Sequence, residues 1–481
     1  LIDQTTTQAD AIPPAYHYDL VVMGSGPAGE KGAAQAAYFG KRVAIVEKEP
    51  HFGGAAANTG TLPSKTLRET ALYLSGFRQR GLYGIEANLR ERATVQDFLR
   101  RERMVKEGER LRIARNFERH KIDVFRGTAG FVNPHVISVE GTENHLLYAD
   151  TVLIATGSRP YRPPIFPFEE QGVYDSDEIL DLENFPSTML VAGGGVIGCE
   201  YACIFAALGV QVTLVEARDK ILSFLDDEVS AKLKERMEAL CIGFCMADSV
   251  AEVLPHDQTD LYHVRMNSGR TLVTETIMVA SGRSGNTEAL NLPSVGITMN
   301  ARGQIIVNEH YQTAVPHIYA AGDVIGFPAL ASASMEQGRL AMCHAFGLDY
   351  KSRLASILPY GIYTIPEVSA AGETEEDAAR KGIDAVVGKA NFAQNARGEI
   401  IGEEHGFLKL VFNREDMRLI GTHVIGEQAT ELVHIGLTAM LAGAGADLFI
   451  QTCFNYPTLA EAYKYATYDA MGKRARLQKT G

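Results

Sequence analysis

Residues 19–49 read DLVVMGSGPAGEKGAAQAAYFGKRVAIVEKE, and residues 188–218 read TMLVAGGGVIGCEYACIFAALGVQVTLVEAR. Gly24, Gly26 and Gly29 of the first stretch align with Gly193, Gly195 and Gly198 of the second at one constant offset, which also carries Gly40 onto Gly209 and Glu47 onto Glu216. In each copy an apolar run precedes the glycines, a run of small residues follows them, and a second apolar run ends on an acid. This is the pattern of a strand–turn–helix–strand unit that binds a dinucleotide. The first glycine permits the tight turn, the second lets a pyrophosphate approach the backbone, and the third lets helix and strand pack closely. The helix N-terminus then faces the phosphates with its partial positive charge. Glu47 and Glu216 end their strands where a ribose diol needs an acceptor. One such motif is a weak signal, but two with matching context predict an α/β fold with two Rossmann-like dinucleotide-binding domains.

Further along, TVLIATGSRP (151–160) and HIYAAGDVIG (317–326) read as apolar strands running into glycine turns, the second ending at Asp323. Two helical patterns lie between 67 and 120, the second with Val95, Phe98, Leu99 and Val105 on one face. The charges along it, arginines interleaved with Glu102, Glu107 and Glu109, read as a solvated face. From about residue 356 the texture changes. VSAAG and FLKLVFN read as strands and LVHIGLTAMLAGA as a helix, which predicts a separate α+β domain.

The chain has 481 residues and a net charge of −13, with no long basic stretch, which excludes nucleic acid or an anionic membrane surface as the main partner. No apolar run is long enough for a membrane span. The opening, Leu1 to Tyr16, is polar, lacks a basic-then-apolar signal pattern and is expected to be a flexible arm. Cys199 and Cys203 are one helical turn apart, as are Cys241 and Cys245, and neither pair has metal-type spacing. Both pairs read as buried small hydrophobes, no metal is expected, and the expected compartment is the reducing cytoplasm.

In this order the pieces resemble the two-dinucleotide-binding-domain flavoprotein disulfide reductases, such as lipoamide dehydrogenase and glutathione reductase, over about residues 18–470. The resemblance implies an arm at 1–17, an FAD domain at 18–158 and 284–355, an NAD(P) domain at 159–283, and a dimerisation domain at 356–481 that makes a homodimer or larger homo-oligomer. Within that family, VIGCEYACIFAALG (196–209), RDKILSFLDDE (218–228), GRSGNTEAL (282–290), GDVIGFPALASA (322–333), YGIYTIPEVS (360–369) and FNYPTLAEAY (454–463) look most like the soluble pyridine nucleotide transhydrogenases. The likeness implies FAD contacts at Gly24, Gly26, Pro27, Ala28, Gly29, Glu47, Lys48, Gly54, Thr61, Lys65, Thr156, Gly157, Gly322, Asp323, Ala329 and Leu330. It implies contacts to NAD(H) or NADP(H) at Gly193, Gly195, Val196, Ile197, Gly198, Glu216 and Arg218, and adds Gly282 and Arg283 to the cofactor-binding set. Lys65 resembles the lysine that reaches the flavin, and Glu200 its ion-pair partner on the nicotinamide side. These two are the catalytic candidates.

Two departures shape the expected chemistry. In GGAAANTGTLPSK (53–65), Ala56 and Thr61 stand where disulfide reductases carry their redox cysteines, and neither side chain forms a thiolate. In FNYPTLAEAY, Tyr456 stands where those enzymes place a histidine base, with Glu461 beyond Pro457. Dithiol and base are missing together. Direct hydride exchange between nicotinamide and flavin needs neither, so the expected activity is ping-pong transfer of hydride between NAD(P)H and NAD(P)+. The alternatives are an NAD(P)H oxidase or a quinone, dye or metal reductase, and a flavoprotein sensor without turnover. Glu216 suits NAD, Arg218 two residues on suits a 2′-phosphate, and the choice between the two nucleotides stays open. Tyr456 reads equally as a plug for the cavity left by the missing groups.

Overall fold

Apolar runs alternating with glycine turns build two parallel sheets in the computed structural model, which describes residues 13–76, 82, 83, 89, 93–255 and 261–480. The chain divides into two units, one of residues 1–67, 97–161 and 282–354, the other of residues 68–96, 162–281 and 355–481. The division falls inside the helix Thr61–Ser75.

In the first unit the parallel strands run in the order Asp123–Arg126, Val43–Glu47, His17–Met23, His145–Ile154 and Ile318–Ala320. Strand order therefore reverses at His17–Met23, the position where open α/β sheets bind ligands. Val43–Glu47 is buried along its whole length, as expected of a strand covered on both faces. On one face lie the helices Pro27–Tyr38 and Ala331–Ala345, packed so closely that a Cβ at Gly338 would stand 2.2 Å from the Ala28 carbonyl oxygen. Thr128–Asn133 and Val136–Glu140 extend His145–Ile154 as an antiparallel meander.

The second unit repeats the parallel design, in the order Gly243–Met246, Gln211–Glu216, Thr188–Ala192, Thr276–Val279 and Val173–Asp175. It also contains a five-stranded antiparallel sheet, ordered Tyr360–Ile362, Val368–Gly372, Leu419–Ile425, Phe407–Asn413 and Ala385–Asn391. The helices Ala429–Leu441 and Ala462–Thr480 pack on this sheet around Phe412, Phe449 and Tyr463. The Tyr463 hydroxyl donates to the Leu432 carbonyl at 2.8 Å and accepts from the Gly436 amide at 3.1 Å, so its burial leaves no polar cost.

A buried charge cluster joins the dinucleotide and C-terminal parts of this unit. Asp226 caps the helix Asp227–Ala239 by accepting from the Glu228 and Val229 amides. Lys409, mid-strand and 2% exposed, brings its ammonium to 3.0 Å and 2.9 Å from the two Asp226 oxygens and 2.9 Å from Glu375. Burial alone pulls the Lys409 pKa down, but the bonds to Glu375 and Asp226 outweigh it and hold the ammonium charged.

Several expectations are corrected. Glu102 is buried beside Lys106 at 2.7 Å, not part of a solvated face. Cys241 is exposed, because it takes a left-handed φ of 65° just past the helix Asp227–Ala239; Cys199, Cys203 and Cys245 are buried as expected. Tyr456 is 70% exposed in the single chain, and its reading as a plug concerns the dimer, which the single chain does not test. Residues 1–12 of the expected arm lie outside the described residues, and His17 already pairs with Tyr148 in the sheet. Among the described residues no helix is long and apolar enough to cross a membrane, and no group of three or more side chains is placed to hold a metal.

Candidate functional site: two glycine turns

The two copies of the repeat fold alike, bond for bond. The Gly24 amide donates to the Val46 carbonyl and the Gly193 amide to Val215, each at 2.8 Å. The Ala155 amide donates to Met23 and the Ala280 amide to Ala192, again at 2.8 Å. Gly24 and Gly193 adopt φ of 102° and 122°, and a Cβ on either would stand 2.5 Å from a carbonyl oxygen, that of Ala155 or Ala280. A Cβ at Gly29 would meet the Gly24 oxygen at 2.0 Å, and one at Gly198 would meet the Gly193 oxygen at 1.8 Å. The first and third glycines are thus dictated by the fold itself.

The middle glycines differ from these. Gly26 and Gly195 have φ of −67° and −79°, which any residue adopts. A Cβ at Gly195 would meet nothing within 4 Å, and one at Gly26 would meet only the Gly54 Cα at 3.8 Å. Among the described residues, only the Gly54 Cα borders the space at Gly26, and none borders that at Gly195 within 4 Å. Each glycine lies directly before a helix, Pro27–Tyr38 or Val196–Ala207, whose first-turn amides face that space. Pro27 at the first helical position adds a fixed φ at no hydrogen-bonding cost. Ala28, Val196 and Ile197 follow in the same first turns.

Both strand-end acids turn back to the loop beside them. Glu47 is buried; one oxygen accepts from the Ser25 amide at 2.9 Å and hydroxyl at 2.5 Å, the other from the Glu49 amide at 2.9 Å. Glu216 accepts from the Gly194 amide at 2.7 Å and the Arg218 amide at 3.0 Å. Both carboxylates are therefore fixed in place and keep free lone pairs for a further donor. The Arg218 guanidinium is exposed; it donates to the Ser223 hydroxyl at 2.7 Å and lies 3.9 Å from Glu216. Lys48 lies on the surface, 3.5 Å from Glu49.

Other candidates gather around the first turn within the first unit. The Gly53 amide donates to the Ser25 carbonyl and hydroxyl, both at 3.2 Å, and Gly54 has φ of 55°. Ala56 lies on the short helix Gly54–Asn58, while Thr61 opens the helix Thr61–Ser75 and is exposed. Lys65, on that helix, donates to the Ser64 hydroxyl at 3.2 Å. Thr156 and Asn286 bond reciprocally, and Gly157 between its neighbours has φ of 70°. The Ser158 hydroxyl donates to Asp323 at 2.9 Å and accepts from Arg283 at 2.8 Å, which joins two short paired strands and the turn at Asp323 in one network. Gly322 has φ of 82°, and its amide donates to Gln337; Ala329 and Leu330 lead into the helix Ala331–Ala345. The Gly282 carbonyl accepts from the Tyr161 amide. Glu200, in the second unit, is buried on the helix Val196–Ala207 and accepts from the Tyr363 amide at 2.9 Å.

Sequence reasoning missed Ser25, which locks Glu47, and Asn286, which fastens the 156–158 turn. Both were visible only as ordinary loop residues.

Comparison with known proteins agrees with this geometry. Residues 18–338 match a family model described as pyridine nucleotide-disulphide oxidoreductase, and residues 358–467 match that family's dimerisation domain. A soluble pyridine nucleotide transhydrogenase of Mycobacterium tuberculosis is 46% identical over 466 residues, 96% of this chain and 99% of that protein. One of Pectobacterium atrosepticum is 39% identical over 472 residues, 95% and 98% of the two chains. Among solved structures, the HOCl-induced flavoprotein disulfide reductase RclA of Escherichia coli aligns with a TM-score of 0.85 at 26% identity, covering 94% of this chain and 99% of that one. LpdA of Mycobacterium tuberculosis aligns with a TM-score of 0.86 at 26% identity, covering 93% and 98%. With both family models matched in order and the repeated turn built alike in each copy, this chain belongs to the pyridine nucleotide-disulphide oxidoreductase family.

Proposed function

We propose that the protein is an FAD-dependent oxidoreductase that carries hydride between NAD(P)H and NAD(P)+; its curated relatives are named soluble pyridine nucleotide transhydrogenases. The observation that carries this reading is the unfilled space at Gly26 and Gly195, repeated in two turns whose other glycines are dictated by packing. FAD fits the first turn, with Glu47 for its ribose, Asp323 and Ser158 beside the 156–158 turn, and Lys65 toward the ring. A nicotinamide nucleotide fits the second, with Glu216 for its ribose and Arg218 for a 2′-phosphate. Bound flavin supplies a two-electron carrier that accepts and returns hydride. The protein's share is to hold the rings in contact, exclude water and set the local charge. Lys65 and Glu200 are the residues assigned to that charge. Ala56 and Thr61 offer no thiolate, so no disulfide substrate is served by this route.

The reading includes a homodimer built through residues 358–467 and a cytoplasmic location. The six cysteines, all described and none in a disulfide, support a reducing compartment.

Anaerobic stopped-flow spectroscopy tests the proposal. NADPH should bleach the flavin band of the purified protein, and NAD+ should then restore it much faster than air or a quinone does. A protein that purifies without flavin, or whose flavin returns faster to oxygen or quinone than to NAD+, refutes the assignment.

A further inference from the structure

Arg68 is one of the largest fully buried side chains among the described residues, and nothing assigned so far uses it. It follows Lys65 by one turn on the helix Thr61–Ser75. Its Nε donates to the Thr364 carbonyl at 2.8 Å, and its Nη1 lies 3.1 Å from the Glu367 carboxylate and 2.7 Å from Glu69. Glu367 is itself buried; its other oxygen accepts from the Thr430 hydroxyl at 2.9 Å and amide at 3.3 Å. Tyr363, the residue directly before the Thr364 anchor, carries the amide that donates to Glu200. One turn beyond Glu200, the Cys203 thiol meets the Ile365 backbone and lies in the field of Arg68, with burial pushing its pKa up to about 12. Arg68, Glu69, Glu200, Cys203, Thr364, Glu367 and Thr430 all belong to the second unit.

A buried arginine–carboxylate pair is a poor source of stability, since well-packed apolar residues often do as well or better. What such a pair does supply is direction: a planar fork fixes the groups that it bonds. Here the fork fixes residues 363–367, and that segment presents one backbone donor to the buried carboxylate of Glu200.

We propose that Arg68, with Glu367, is a positioning residue for Glu200: the pair clamps the 363–367 segment so that the Tyr363 amide holds the Glu200 carboxylate in its working orientation. The proposal rests on the role in hydride transfer given to Glu200 above. Arg68 acts through the segment and touches neither nucleotide.

A double-mutant cycle on the full flavin-loaded chain tests it, using Arg68→Met, Glu200→Gln and the pair together. Arg68→Met is expected to slow flavin bleaching by NADPH about 10- to 100-fold at saturation while changing the dissociation constant of NADPH less than about threefold. In the Glu200→Gln background the same change should slow bleaching less than about twofold, because the residue it positions is already gone. Hydrogen exchange of the peptide spanning Tyr363, a readout independent of turnover, should quicken in Arg68→Met. Thr430→Val keeps both buried charges and removes the hydroxyl that braces Glu367 and also bonds the Tyr363 side chain, so it loosens the same segment at two points. It should reproduce the pattern in smaller measure, and it carries the same cycle if Arg68→Met does not fold. Independent, multiplying effects of the Arg68 and Glu200 changes, or unaltered bleaching with faster exchange, overturn the proposal and leave Arg68 a structural residue. A silent Glu200→Gln overturns the role of Glu200 as well, so the two failures are distinguishable.

Discussion

Replacing Gly195 by alanine separates what the fold needs from what a ligand needs. Gly195 has φ of −79° and ψ of −174°, and its added methyl would touch no atom of the protein. Folding stability should therefore be unchanged or raised by up to about 1 kcal/mol, since alanine restricts the unfolded chain more than glycine does. On the proposed function the methyl enters the space assigned to the pyrophosphate, beside the first turn of the helix Val196–Ala207. Losing one hydrogen bond to a charged group costs about 1.5–3 kcal/mol, which weakens binding roughly 10- to 150-fold. The loss should be equal for NADH and NADPH, because the pyrophosphate is common to both. Gly198→Ala is the control: its Cβ would stand 1.8 Å from the Gly193 oxygen, so the strand and helix must separate. That change should cost about 1–3 kcal/mol or more of stability. Thermal unfolding reports the fold, and flavin bleaching at varied NADH and NADPH reports binding. If Gly195→Ala binds both nucleotides at full strength, or weakens only one, the space does not belong to the pyrophosphate and the reasoning fails.

Arg218→Ala should weaken NADPH by about tenfold or more and leave NADH within about twofold, because only a 2′-phosphate draws the guanidinium from Ser223; equal losses in the two half-reactions would end that assignment. Lys409→Met should cost about 3–5 kcal/mol in urea unfolding, since it strands the buried Asp226 carboxylate. Lys389→Met, at the partly exposed pair with Glu228, should stay within about 1 kcal/mol. Burial holds the His423 pKa below the ordinary histidine value, and its Nε2 lies 2.9 Å from the Glu373 carbonyl. Below about pH 6.5 the unfolded chain binds the proton that the fold refuses, so this contribution is complete above that pH and is lost as pH falls toward the folded value. The slope is at most about 1.4 kcal/mol per pH unit, and His423→Asn should remove that share when unfolding is compared at pH 7.5 and 5.5.

The residues that sequence made legible are those whose local geometry dictates identity. Gly24, Gly29, Gly193 and Gly198 are forced by contacts inside one turn, and their spacing discloses the turn. The apolar run of Phe407–Asn413 likewise yields a strand. Lys409 within that strand was opaque, because its reason is Asp226, on an element far away in the chain. Arg68 and Glu367 were hidden in the same way: each looks like an ordinary helix or loop charge until the fold brings them together. Cys241 was misread because a left-handed residue after a helix is usually glycine; a cysteine there reads as core although its backbone turns it outward.

The repeat also explains why two equal turns suit unequal tenants. Behind the first glycine the first copy has Ser25 and the second has Gly194. Ser25 gives Glu47 two hydrogen bonds where Gly194 gives Glu216 one, and the Gly53 amide closes over Ser25 from outside. Glu47 is thereby buried, while the Glu216 side chain keeps 13% of its surface exposed beside the exposed Arg218. On the proposed assignment, a ribose held by the buried Glu47 would exchange slowly and one held by Glu216 would leave more easily. That asymmetry is what a resident carrier and a turnover substrate require. A single substitution does not convert one site into the other: a Cβ at Gly194 would already stand 3.0 Å from both the Cβ and a carboxylate oxygen of Glu216. A side chain at Gly194 therefore requires Glu216 to give way by a few tenths of an ångström.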